Sequence, residues 1–199
     1  MLTMSSEVSY EQTGRRHQKA RTRAVLVDAA RELIAVGASP TVEDAAARAS
    51  ISRATAYRYF PNQRALLAAA RPELDPGTLL EPDAPEDPEL RLESVVDGIL
   101  RLTLEHEHTL RTMLRLSLDP SAEHDLPFRK GMRLVWVEQA LEPLRGRLDD
   151  AELRRLVHAI AAAVGIDSLV WMTDVAGLGR EEACELMRWS ARALLTAAL

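Results

Sequence analysis

One cysteine in 199 residues, Cys184, excludes an internal disulfide framework, and its setting EEACELMRW places it on an amphipathic helix as a structural thiol. The polar opening residues hold no apolar run before a cleavage site, so no secretory leader is expected. The most apolar window, Leu156 to Met172, is interrupted by His158, Asp167 and Ser168 and falls short of a membrane span. A cytoplasmic protein with no membrane partner is expected. There is no Gly-rich phosphate loop and no Cys/His zinc spacing, so neither a cofactor nor a metal is expected. His106 and His108 stand two apart, on different faces of a helix, and make a poor metal pair. His124-Asp125 falls in an expected loop with no nucleophile nearby in sequence. No catalytic residue is assigned, and an enzyme is not expected. Strand alternation and internal repeats are also missing, which leaves an all-α chain.

What is present is a division of charge. The net charge of −5 hides +7 between Arg15 and Arg71, −10 between Pro72 and Leu199, and −2 in the first 14 residues. A basic head on an acidic body fits one end that meets phosphate and another that stays off it. The boundary between them is PELDPGTLLEPDAPEDPEL, Pro72 to Leu90, whose five prolines and many acids make it a connector.

Within the head, Thr41 to Phe60 reads TVEDAAARASISRATAYRYF, two short helices around a tight turn. Thr41 with Asp44 forms a capping-box pattern that starts the first helix. Val42, Ala45, Ala46 and Ala49 recur at helical spacing, and the small side chains admit a second helix at close range. Ala49-Ser50-Ile51 supplies the turn, and Ser52 caps a second helix running to about Tyr59. Ala56 and Phe60 pack inward, while Ser52, Arg53, Thr55, Tyr57, Arg58 and Tyr59 offer hydrogen-bonding groups suited to a major groove. Arg53 is the candidate base reader, through a bidentate pair with guanine, and Ser52, Thr55 and Arg58 are secondary groove contacts.

These residues, with the closing YRYF and the following PNQRALLAAA, resemble the TetR/AcrR family of bacterial transcriptional regulators from about Lys19 to Ala70. The sequence departs from the family pattern at Ser50, Ala56 and Gln63, where Gly, Leu and Lys are usual. A non-glycine residue in the left-handed turn costs about 1 kcal/mol, and Ala56 removes core volume. The resemblance implies that Thr41, Tyr57, Tyr59 and Gln63 hold phosphates and set register on double-stranded DNA. It also implies that the N-terminal extension reaches DNA. RRHQKARTR, five basic residues and a histidine without an acid, fits that role or that of a solvated helix entry.

Expected domains are a flexible basic arm over 1–18, a helix-turn-helix DNA-binding domain over 19–71, and a helical-bundle ligand-binding and dimerisation domain over 72–199. Around the motif, the first helix is expected from Lys19 to Val36, with Val25, Leu26, Ala29, Leu33 and Ile34 inward, and a fourth from about Asn62 to Ala70. In the body, one long or two abutting helices follow the connector, another spans Phe128 to Leu144, one spans Asp149 to about Ala176, and the last runs from Arg180.

The Asp149–Ala176 segment is apolar on all sides, so more than one of its faces must be buried. It is either a central core helix or one shared with a second subunit. A homodimer is favoured, because a twofold pair spans two half-sites of a palindromic operator roughly 34 Å apart. Candidate interface residues are Ala161, Ala162, Gly165, Leu186, Trp189 and Ala193. His158 and Asp167 are either satisfied core polar groups or, with Met113, Met132, Trp136 and Trp171, the lining of a mostly apolar pocket for an unknown small molecule. The expected function is a sequence-specific DNA-binding regulator, a repressor released from its operator by a ligand. The alternatives are a ligand-independent DNA-binding or scaffold protein, and an enzyme using the helical cavity.

Overall fold

Helix α1, Ser5–Ala35, begins well before the Lys19 start that the sequence predicts. In a computed structural model that describes residues 5–70, 77–118 and 131–199, the expected flexible arm is helical from Ser5 onward. No proline occurs before Pro40, and Gly14 inside a helix costs only about 1 kcal/mol relative to alanine. Of the described residues, 5–70 form one compact unit, and 77–118 with 131–199 form another.

In the first unit α1 packs against α2, Val42–Arg48, and α4, Gln63–Ala70, while α3, Arg53–Tyr59, rests on α2. Leu26, Ile34, Leu66 and Leu67 are fully buried, with Ala30, Ala45 and Ala56 filling the gaps between helices. Val25, expected inward, is exposed instead. Each fully buried leucine contributes about 1.5–3 kcal/mol, and Val27, Val42 and Phe60 are buried in the same unit. Arg31 ties α1 to the end of α4 by donating from Nε to the Ala70 carbonyl at 3.3 Å.

The second unit is a helical bundle. It holds α5, Pro88–Glu105, α6, Glu107–Ser117, α7, Met132–Ala140, and α8, Asp150–Ala163. After these come α9, Ile166–Val170, a π-helical turn, Trp171–Val175, and α10, Arg180–Ala198. Asp87 starts α5 by accepting from the Glu89 and Leu90 amides, and Asp149 with Glu152 forms a capping box on α8. α10 packs on α8 and α5, and α7 bridges α5 and α8. Ile99, Leu100, Leu144, Ile160, Leu169, Met187 and Leu195 sit at its centre, fully buried. Arg91 of α5 donates to the Gln139 and Ala140 carbonyls, satisfying the C-terminal end of α7.

The expected continuous helix from Asp149 to Ala176 is broken at Val164-Gly165, and its two parts are bent by 42°. The break resets the helical phase, so apolar residues before and after it can face one core. This accounts for the apolar coverage that looked all-round in sequence. No strand occurs among the described residues, and no single described helix is long and apolar enough to cross a membrane.

Candidate nucleic-acid interface

Thr41 begins the reading unit. Its hydroxyl accepts from the Asp44 amide at 3.1 Å, and Asp44 Oδ2 accepts in return from the Thr41 amide at 2.8 Å and the hydroxyl at 2.7 Å. The expected capping box is therefore closed. α2 ends in a two-bond motif in which Ile51 N–H donates to the Ala46 carbonyl and Ser50 N–H to that of Ala47. Ser50 occupies the left-handed position of this motif, at φ 55°. Most helices place glycine there, and serine carries the steric cost.

Ser52 then caps α3 by accepting from the Thr55 amide at 3.3 Å, and its hydroxyl donates to Thr55 Oγ1 at 2.9 Å. Ala56 and Phe60 are buried beneath the helix, and the Arg23 guanidinium lies 5.2 Å from the Phe60 ring centre. On the outer side Ser52, Arg53, Tyr57 and Arg58 are exposed, with Thr55 and Tyr59 half-buried. The Arg53 side chain is 74% exposed. Arg58 lies over the Tyr59 ring at 5.8 Å. The face offers hydrogen-bond donors and positive charge in the chemistry that base edges and phosphates require.

One group at this face escaped the sequence reading. Glu43, on the first turn of α2, accepts through Oε1 from Arg53 Nη2 at 2.7 Å and from the Tyr57 hydroxyl at 2.7 Å. Those two hydrogen bonds, that of Tyr57 first, hold its carboxyl down at about 2. The i, i+4 spacing of Arg53 and Tyr57 was the available signal, since it places both on one face.

Gln63 is a correction. Expected at a phosphate, its Nε2 is instead directed inward, donating to the Ser39 and Pro40 carbonyls at 3.1 and 3.0 Å and pinning the loop before α2. Thr41 likewise spends its hydroxyl on Asp44.

The expected pocket residues are not brought together. His158 is exposed, with Nδ1 at 2.7 Å from the Arg154 carbonyl oxygen, and Trp171 is 58% exposed on the π-helical turn. Both readings as pocket lining are corrected: His158 lies on the outer face of α8, and the reset helical phase after Gly165 carries Trp171 outward. Asp167 is half-buried and bonded to Arg133 Nη2 at 2.5 Å. Met132 and Trp136 stand one turn apart on α7, and the buried Trp136 indole N–H has no hydrogen-bond partner among the described residues. Met113 is buried on α6, outside the core cluster that holds Trp136. A cleft of about 360 Å³ opens between the start of α5 and the end of α10, lined by Glu89, Glu93, Val96, Arg188 and Arg192 among others, and none of the expected pocket residues lines it.

Of the expected interface residues, Ala162, Leu186 and Trp189 are exposed, Ala193 is half-buried, and Ala161 is buried within the bundle. Gly165 is also a correction, because it is buried beneath the Arg133 side chain of the same chain. Leu186, Trp189 and Ala193 form one stripe along α10, and Trp189 is 65% exposed.

Residues 26–70 match the family described as bacterial regulatory proteins, tetR family. The whole fold is similar to that of a solved SmeT–triclosan complex, at 21% identity and a TM-score of 0.54, covering 89% of this chain and 91% of that one. No curated protein matches the chain.

Proposed function

We propose that the chain, whose residues 26–70 match the tetR family of bacterial regulatory proteins, is a DNA-binding regulator, a homodimeric repressor that leaves its operator when a small molecule binds its body. The observation that carries the DNA-reading part is the α3 face, where Arg53 projects from a helix seated by a closed capping box and a completed turn. Arg53 reads guanine in the major groove, Ser52, Thr55 and Arg58 add groove contacts, and Tyr59 sets register on the backbone.

Dimerisation through α8 and α10 is supported by the exposed stripe of Leu186, Trp189 and Ala193, which a second copy would bury. A pair of heads then meets the two halves of a palindrome. Ligand control is supported by the unpartnered Trp136 indole N–H, a donor available to an acceptor on a bound molecule, and by the triclosan complex of the similarly folded SmeT. A ligand releases DNA only by the difference in its affinity for the two head spacings. As a regulator that binds and releases, the protein acts in the cytoplasm without catalysing a reaction. The outward placement of His158 and Trp171 favours one second reading, a regulator whose body takes no inducer.

Selection from a pool of randomised duplexes, with and without a metabolite extract, tests this function. A palindromic site lost in the presence of extract is expected. Enrichment that the extract does not change supports the second reading, and no enrichment at low salt contradicts both.

A further inference from the structure

We propose that Glu43 is a specificity-determining residue that holds Arg53 for base reading and keeps it from binding phosphate indiscriminately. The inference rests on the reading of α3 as the DNA-contacting helix.

An exposed arginine on a DNA-binding face has phosphate available in every sequence and guanine only in some. The environment of its guanidinium decides which it favours. Here the guanidinium donates from Nη2 to a carboxylate on the neighbouring helix at 2.7 Å. That bond occupies one of five N–H donors and restricts rotation of a long side chain. The remaining four suffice for a bidentate pair with O6 and N7 of guanine. A guanidinium already restrained loses less freedom when it forms that pair.

The same carboxylate oxygen accepts from the Tyr57 hydroxyl at 2.7 Å. A phenol has one proton, so while this bond stands Tyr57 cannot donate to a phosphate. Arg53 and Tyr57 are thus both engaged by an acid standing on the face that meets DNA. The Glu43 side chain is 32% exposed, so its negative charge is felt there. It offsets the attraction of Arg53 for any backbone, and the base-edge hydrogen bonds of a correct site are what restore the balance. Glu43 is ionised throughout the neutral range, because its two partners stabilise the charged form.

The test compares the full-length wild type with Glu43→Ala and Glu43→Gln, on the selected duplex and on a scrambled one, by fluorescence anisotropy over a series of salt concentrations. Glu43→Gln keeps the size of the side chain and an acceptor while removing the charge. Circular dichroism melts establish that each variant is folded. For Glu43→Ala we expect tighter binding to the scrambled duplex and a fall of about tenfold in the ratio of specific to non-specific affinity. The plot of log K against log salt on the scrambled duplex should steepen by about 0.9, the slope of one additional phosphate contact. Glu43→Gln should show the same gain on scrambled DNA with less loss of base preference. In an Arg53→Ala background, Glu43→Ala should add no such steepening. An unchanged affinity ratio and salt slope in both single variants overturns the role of Glu43. If the wild type itself fails to distinguish the two duplexes, the DNA-reading assignment of α3 fails, and Glu43 falls with it.

Discussion

Arg133 lies across Gly165, its guanidinium donating to the Val164 carbonyl and, through Nη2, to Asp167 Oδ2 at 2.5 Å. Gly165 has φ 92°, a conformation that other residues adopt at a cost. A Cβ built there would meet Arg133 Nη1 at 2.6 Å and Cδ at 2.9 Å. The close approach and the positive φ together require glycine. Gly165→Ala should destabilise the fold by about 1–3 kcal/mol, read as a lower denaturant midpoint. A midpoint equal to wild type would mean that the α8–α9 break is not held by this contact.

Ser50 presents the opposite case, a non-glycine residue at φ 55° in the turn between α2 and α3. Ser50→Gly should stabilise the chain by about 0.5–1 kcal/mol, because the glycine relieves left-handed strain and gives back part of that gain as unfolded-state entropy. Equilibrium denaturation measures the difference.

Acid should weaken the body at one identifiable place. Glu107, only 8% exposed, accepts from Arg111 and Arg180, and Arg111 also grips Asp174 with two hydrogen bonds of 2.6 and 2.9 Å. The cluster joins α6 to the π-helical turn and to the start of α10. Arg111 and the Thr173 hydroxyl hold Asp174 at about 2, below its ordinary 3.8. Glu107 is also lowered, chiefly by Arg180. Depressed carboxyl values mean that the native state gains stability above the ordinary value and loses it as pH falls toward the folded one. The contribution of Asp174 is thus present above about pH 4 and fades toward pH 2. Asp174→Asn should lower stability at neutral pH and flatten the loss over that range in acid-unfolding curves.

The α10 stripe predicts an oligomeric state. Trp189→Glu places a charge in the surface a second copy would cover, and it should convert a dimer into a monomer of wild-type helicity. Light scattering coupled to size exclusion measures this, and an unchanged mass would remove Trp189 from the interface.

The parts of this structure that were legible in sequence are those set by neighbours a few residues away. The Thr41–Asp44 box, the Ser52 cap, the inward Ala56 and Phe60, and the position of Ser50 in the turn all depend on spacings of three to five residues. What was not legible depends on distant pairings. The break at Gly165 is occupied by Arg133, which sequence periodicity cannot place, and without that break His158 and Trp171 seemed to share the faces of one long helix. Arg111 and Asp174 are 63 residues apart, and neither carries a local sign of the other. In sequence Glu43 is marked only as an acid in the first turn of α2, favourable to the helix dipole. Its grip on Arg53 and Tyr57 follows only once α3 has folded back against α2. Gln63 was misplaced for a related reason, since its partners at Ser39 and Pro40 come near only when the loop closes over α4.

The most direct measurement of the central claim is the affinity of wild type and Arg53→Ala for the selected operator and for variants of it at each base pair. Loss of about 1–3 kcal/mol on the operator, with preference relaxed at one base pair per half-site, is predicted for a bidentate arginine–guanine contact. An Arg53→Ala protein with the wild-type affinity and the wild-type base preferences would contradict the assignment of α3 as the reading helix.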